Sequence, residues 1–122
     1  MKNFAEMANR EFAFACLNAL KREGRLTEAA LALLTDTAQC RERFRCGFAI
    51  LLEVPGGCGE NELRTLCHIS GKRRYYQERF CVNGRTFVIT NHWYGPHRSM
   101  PDNRTPFMEW VLMQAKENTQ SV

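Results

Sequence analysis

Cysteine and histidine are the side chains of this 122-residue chain that could bind a metal or act as nucleophiles, with six cysteines and three histidines. His92 and His97 are separated by four residues, a spacing found in zinc sites. The cysteines do not complete such a site, because Cys40 and Cys46 have five residues between them, wider than the usual pair of thiolate ligands. The sequence therefore predicts no metal.

Thiol catalysis needs a base within reach of the cysteine in space. Cys67 and His68 are adjacent, but neighbours on a helix point about 100° apart and do not readily form a hydrogen bond. Cys58, in the glycine-rich turn "PGGCG", is the better candidate, although no partner for it can be identified. That turn also lacks the Lys-Ser/Thr of a phosphate loop. We expect no catalytic residue, no cofactor and no enzymatic activity, and reduced, mostly inert thiols, with Cys16 and Cys81 in the core.

Arginine and aromatic residues form the remaining pattern that could carry a function. Between Leu63 and Arg104, eight basic residues face two acidic ones, a charge of +6, whereas the rest of the chain sums to −2. Such asymmetry indicates a polyanionic partner, because arginines bind phosphates and exposed aromatic rings stack on bases. The predicted binding residues are Lys72, Arg73, Arg74, Tyr75, Gln77, Arg79, Arg85, His92, Tyr94, His97 and Arg98. A secondary basic patch is predicted at Arg41, Arg43 and Arg45.

A β-hairpin is expected to position most of these residues. Asn83-Gly84 joins two strand-like runs, at about 74–82 and 85–92, and Asn-Gly is the preferred type I′ turn. The register follows from a two-residue loop: Val82 opposite Arg85, Phe80 opposite Phe87, Glu78 opposite Ile89 and Tyr76 opposite Asn91. One face is apolar and should face the core: Tyr76, Phe80, Val82, Phe87 and Ile89. The other is mostly polar and should face water or a partner: Tyr75, Gln77, Arg79, Cys81, Thr86, Val88, Thr90 and His92.

Helices are predicted on both sides of the hairpin, which makes the fold class α+β. The first helix spans residues 3–23 and ends at Gly24, and Thr27 and Asp36 begin the next two. Residues 60–69 also have a helical pattern, whereas "FAILLEV" (48–54) fits a strand or a helix end. A closing helix starts at Thr105, packs Trp110 on the apolar hairpin face and precedes a frayed tail, 118–122. Trp93 is expected to cover the core.

Chain length, hydropathy and the order of the predicted elements complete the prediction. The length suits one domain, 1–122, and the absence of a long apolar run predicts a cytoplasmic location without a membrane span. Helices followed by a basic hairpin, roughly residues 26–93, resemble winged-helix DNA-binding domains. That resemblance implies that helix 60–69 enters the groove, but its single basic residue and two acids suit this role poorly, and the basic segment 37–46 suits phosphate better.

Two functions are therefore expected of the basic surface. The first is binding of DNA or RNA. The alternative is a protein-interaction module or inhibitor, of the compact bacterial or phage kind, that uses the same surface to bind an acidic protein. In that case the Trp93-Tyr94 pair would be an exposed anchor.

Overall fold

The fold is mixed α+β, as a computed structural model of residues 3–96 and 99–120 describes it. A short 3-10 helix, Phe4–Glu6, precedes the first α-helix. The α-helices are α1 (Asn9–Arg22), α2 (Glu28–Leu34), α3 (Thr37–Phe44), α4 (Glu60–Leu66) and α5 (Arg104–Gln120). The strands are β1 (Leu51–Glu53), β2 (His68–Ile69), β3 (Lys72–Arg73), β4 (Phe80–Val82) and β5 (Arg85–Ile89). The ambiguous segment 48–54 therefore contributes a strand.

Helix ends largely follow the predicted capping residues. The side chains of Thr27 and Asp36 accept the N–H groups of the third residue after them, which confirms both as N-caps. Gly24 has φ +67°, the left-handed conformation that ends a helix. The predicted cap at Thr105 is wrong, because α5 already begins one residue earlier and the Thr105 N–H donates to the carboxylate of Asp102.

The first helix is shorter than predicted, and the last helix is longer. The first α-helix begins only at Asn9, since the 3-10 helix before it ends at Met7 in extended backbone. The last helix is longer than expected: α5 continues to Gln120, so residues 118–120 are helical. Residues 121 and 122 of the predicted frayed tail lie outside the described residues.

The main sheet is antiparallel with strand order β1-β5-β4. The Asn-Gly turn sets the predicted pairs Phe80–Phe87 and Val82–Arg85. The pairing predicted further from the turn is wrong, because the next bridge joins Tyr75 to Thr90. Four residues, 76–79, therefore stand opposite only two, 88–89, so the first strand contains two extra residues, and β4 is only three residues long. An even insertion preserves the alternation of sides, so Tyr76 still packs on the core.

The main core lies between the helices and the predicted apolar face of the hairpin. Phe107 of α5 is fully buried at its centre, with ring contacts to Phe12, Phe44 and Trp93 at centroid distances of 6.3, 5.4 and 5.2 Å. Trp93 is 2% exposed, which confirms it as a core residue. Trp110 packs on the core cluster that includes the apolar hairpin residues, and its ring contacts are with Phe44 and Phe107, since α5 packs against α1 and α3.

The other face of the hairpin is only partly open, contrary to the prediction: it is covered away from the turn, whereas Arg79 and Cys81 are exposed. Tyr75 (2% exposed), Val88 and Thr90 (both 0%) are buried there. A second apolar cluster covers Tyr75 and Val88 with Leu63 of α4 and with Cys67. The polar groups do not need water, because the Thr90 hydroxyl donates to the Arg74 carbonyl at 2.8 Å and the Tyr75 hydroxyl donates to the Ala49 carbonyl at 2.7 Å. The alternation of apolar and polar residues along the hairpin strands therefore did not reveal that Tyr75, Val88 and Thr90 are buried.

Replacing Tyr75 by phenylalanine tests this assignment. The change leaves the buried Ala49 carbonyl without the hydroxyl that it accepts from, so the free energy of unfolding should fall by roughly 1–3 kcal/mol. Urea unfolding measures the loss, and Tyr76→Phe, at a partly buried ring, is the matched control. An unchanged stability would mean that the Tyr75 hydroxyl faces water, as the sequence pattern had predicted.

Candidate nucleic-acid interface

Two of the predicted binding arginines are already paired with carboxylates. Arg85 donates to both carboxylate oxygens of Glu53, at 2.8 and 3.0 Å, and to Glu28 at 2.7 Å. Arg79 donates to Glu60 at 2.8 Å and to the Cys58 carbonyl at 3.2 Å. These acids are 19 to 57 residues away in sequence, so spacing gave no signal of them. Part of the charge and of the N–H donors of each arginine is therefore already used within the protein.

The remaining basic residues of the 72–74 segment are better placed. Lys72 and Arg73 of β3 are exposed, and Arg74 is partly buried. Asn91 donates to the Arg73 carbonyl at 3.1 Å, which fixes the backbone of this segment beside the end of the hairpin. Among the described residues, no ion pair involves these three cations. Their charge is available to a partner.

The structure joins this segment to part of the secondary basic patch. Arg41 donates to the Gly47 carbonyl at 3.3 Å, and the Gly47 N–H donates to Nδ1 of His92, also at 3.3 Å. This chain of contacts places α3 beside the residues that follow β5. Arg43 does not join it, because it lines a separate groove with Phe44 and Trp110. Arg45 is exposed at the end of α3, with φ +61°.

Aromatic rings fill the space between the two basic segments. His92 makes edge contacts with Phe48 at 5.2 Å and with Tyr94 at 5.0 Å between ring centroids. The Arg74 guanidinium lies over the Phe48 ring, 5.0 Å from its centroid. We call Arg41, Phe48, Arg74, His92 and Tyr94 the Phe48 cluster. Its three rings and Arg74 are partly buried, so they are held by packing and still reach the surface.

Phe48 is the member of the cluster that the sequence did not reveal as a site residue. It begins the apolar run "FAILLEV", which suggested only core packing. The ring is partly buried because β1 starts three residues later, at Leu51, and the segment before it runs past His92. A side chain at Gly47 would be crowded, since a Cβ there would lie 3.1 Å from His92 Cε1 and the imidazole would have to move by a few tenths of an ångström. Glycine at position 47 therefore lets the backbone approach the His92 ring closely, next to Phe48.

His92 is held in its neutral form. Nδ1 accepts the Gly47 N–H, so the proton of the neutral ring is on Nε2. Burial, with the nearby Arg74 charge as a second cause, lowers the pKa of His92 below its ordinary value. A protonated ring would lose the Gly47 bond and repel Arg74. At neutral pH the cluster thus presents an uncharged imidazole among arginines.

This lowered pKa predicts a loss of stability in mild acid. Because the unfolded chain binds the His92 proton more readily, the contribution of His92 is complete above about pH 6.5 and is lost as pH falls through the lower folded pKa. Unfolding midpoints in urea, measured from pH 7.5 down to about 5, should therefore decrease more for the natural chain than for His92→Gln. His68→Gln, at an exposed histidine, is the matched control. Parallel curves for the natural chain and His92→Gln would contradict the assignment.

The other predicted residues are accounted for as follows. Tyr75 is buried in the second cluster and cannot stack on a base without unfolding of that region. Gln77 is partly buried in the segment that interrupts the first hairpin strand. His97 and Arg98 lie outside the described residues.

The cysteines support the expectation of inert thiols at four positions. Cys16, Cys40, Cys46 and Cys67 are buried, and burial raises the pKa of Cys16 to about 12 and that of Cys46 to about 11. The prediction for Cys81 is wrong: it is exposed, because it lies in the middle of β4 on the opposite side from the buried Phe80 and Val82. Within the part of the chain that the structure describes, no group of three or more His, Cys, Asp or Glu side chains could hold a metal ion.

No helix among residues 3–96 and 99–120 combines the length and apolar character needed to cross a membrane.

The resemblance to winged-helix domains stays a prediction based on element order. Between β1 and the hairpin, the chain forms α4 and then the small β2-β3 sheet. Comparisons with protein-family models, with curated proteins and with solved structures find no match for this chain.

Proposed function

We propose that this protein binds single-stranded nucleic acid, RNA or DNA, on the Phe48 cluster. The observation that supports the proposal is the convergence of two basic segments, distant in sequence, on one set of aromatic rings. Arg41 reaches this surface from α3, and Arg74 reaches it from the segment after β3. Lys72 and Arg73 extend the same positive surface along β3. Rings for stacking and arginines for the backbone are the two components of single-strand binding sites.

A duplex fits this surface less well. If the chain bound DNA as winged-helix domains do, α4 would enter the groove, but α4 has two acids in its first turn. One of them, Glu60, is bound to Arg79. A helix that presents carboxylates to a phosphate backbone adds repulsion, whereas the Phe48 cluster needs unpaired bases to use its rings. The proposal therefore predicts a preference for unpaired strands.

Fluorescence anisotropy with labelled oligonucleotides tests the proposal. Single-stranded DNA and RNA should bind more tightly than a duplex of the same sequence, and affinity should fall steeply between about 50 and 200 mM salt. Heparin is the control for charge alone, because it has no bases. Equal affinity for heparin and for the single strands at matched charge would contradict a role for the aromatic rings.

An acidic protein partner is the second candidate function, and one observation favours it. A groove between α3 and α5, of about 340 Å³, is lined by Arg43, Phe44, Trp110 and the exposed Met113, together with Pro106 and Glu109. Trp and Arg are enriched at binding hot spots. The anchor first expected, Trp93, is buried and cannot serve. Capture of one stoichiometric acidic protein, lost in Met113→Glu and retained in Arg73→Gln, would decide for this alternative.

A further inference from the structure

A pocket of about 620 Å³ adjoins the Phe48 cluster. It lies where the N-terminal 3-10 helix, the loop after β5 and the start of α5 meet. Its volume is within the range of about 300–1,000 Å³ that small-molecule sites occupy. Its described lining includes Ala5, Asn9, Tyr94 and Arg104.

Arg104 is the charged residue among the described residues that line this pocket. Its guanidinium lies over the Phe12 ring at 4.3 Å and donates to Asn9 Oδ1 at 2.9 Å and to the carbonyls of Phe4 and Met7 at 3.2 and 2.6 Å. All three acceptors are uncharged. A guanidinium has five N–H donors, so these bonds do not use them all.

No carboxylate among the residues that the structure describes forms an ion pair with Arg104. The neighbouring Asp102 uses one carboxylate oxygen to accept the Thr105 N–H. Burial lowers the pKa of Arg104, while the Asp102 charge acts in the opposite direction. A partly buried cation held only by neutral acceptors would be stabilised by an anion in the pocket.

Tyr94 connects the pocket to the Phe48 cluster, because its ring contacts His92 and it also lines the pocket. We infer that the pocket receives the terminal phosphate of a strand bound on the Phe48 cluster, with Arg104 as its cation. A terminal phosphate monoester carries a charge of about −1.5 to −2 at pH 7, more than a phosphate within the strand. This inference rests on the proposed function and adds end recognition to it.

Oligonucleotides of one sequence with a 5′-phosphate, a 3′-phosphate or only hydroxyl ends test the inference on the unaltered protein. One of the two phosphorylated strands, the one whose phosphate is at the recognised end, should bind about tenfold more tightly than the hydroxyl strand. This is the effect of one charge-assisted hydrogen bond. Equal affinity of all three strands would overturn end recognition. If no strand binds, the proposed function itself fails, so the two failures are distinguishable.

A variant in which a larger side chain fills the pocket provides the second test of the inference. Ala5 is exposed and lines the pocket, so Ala5→Trp should fill it without removing a core side chain. The variant should bind phosphorylated and hydroxyl strands equally, while its affinity for the hydroxyl strand matches that of the natural chain. Ala29→Trp, at an exposed position of α2, should keep the tenfold difference. A preference that survives Ala5→Trp would place the phosphate elsewhere and overturn the assignment.

Discussion

Replacing Arg41 and Arg73 together by glutamine is expected to weaken the binding of a single-stranded oligonucleotide by at least about 100-fold, since each hydrogen bond to a charged group contributes roughly 1.5–3 kcal/mol. Both side chains are exposed: Arg41 belongs to the Phe48 cluster, and Arg73 directly precedes Arg74 of that cluster in the chain. The slope of log affinity against log salt should decrease by about 1.4, because two phosphate contacts are lost on a single strand. Anisotropy titrations at several salt concentrations measure both quantities.

The control for this double variant is Lys21→Gln with Arg22→Gln, which removes the same charge from the exposed end of α1. If binding depends only on net charge, the two double variants will lose affinity equally, and the proposed site will be wrong. Arg79 and Arg85 are poor choices for such a test, because their substitution would leave Glu60, Glu53 and Glu28 without the arginines that pair with them.

Replacing Phe107 by alanine is expected to lower the free energy of unfolding by roughly 3–5 kcal/mol. Phe107 is fully buried, and its ring contacts those of Phe12, Phe44, Trp93 and Trp110. Its removal would leave a cavity between α1, α3 and α5 that rigid aromatic neighbours cannot readily close. Urea unfolding monitored by circular dichroism gives the change.

Leu112→Ala on the same helix is the matched control for the packing of α5. Leu112 is 52% exposed, so its truncation should change stability by less than about 0.5 kcal/mol. Similar losses for the two variants would mean that helix propensity, rather than the aromatic core, accounts for the effect. A small loss for Phe107→Ala alone would mean that α5 does not close the main core.

Local backbone chemistry made several elements predictable. Asn83 and Gly84 adopt φ +53° and +74°, which a type I′ turn needs, and the pairs next to the turn follow from its two-residue length. Thr27 and Asp36 cap their helices because their side-chain oxygens reach N–H groups three residues on. Each of these features depends on neighbours within a few residues, so sequence spacing describes it adequately.

Register further from the turn was not predictable in this way. The segment 76–79 contains two extra residues, and nothing in the alternation of "YYQERF" distinguishes an inserted pair from a continuous strand. The distinction depends on Tyr75, whose hydroxyl bonds to Ala49 in a distant segment. An aromatic side chain with one polar group suits an exposed face and a buried, hydrogen-bonded position equally well.

The sequence by itself determined the α+β class, the hairpin turn, two helix caps and the basic character of the chain between residues 63 and 104. Only the tertiary structure decided which charges remain available. It pairs Arg79 and Arg85 with distant glutamates, and it leaves Arg41 and Arg74 beside Phe48. The physical reason is that caps and turns form between near neighbours, whereas ion pairs and ring contacts form between any residues that folding brings within a few ångströms.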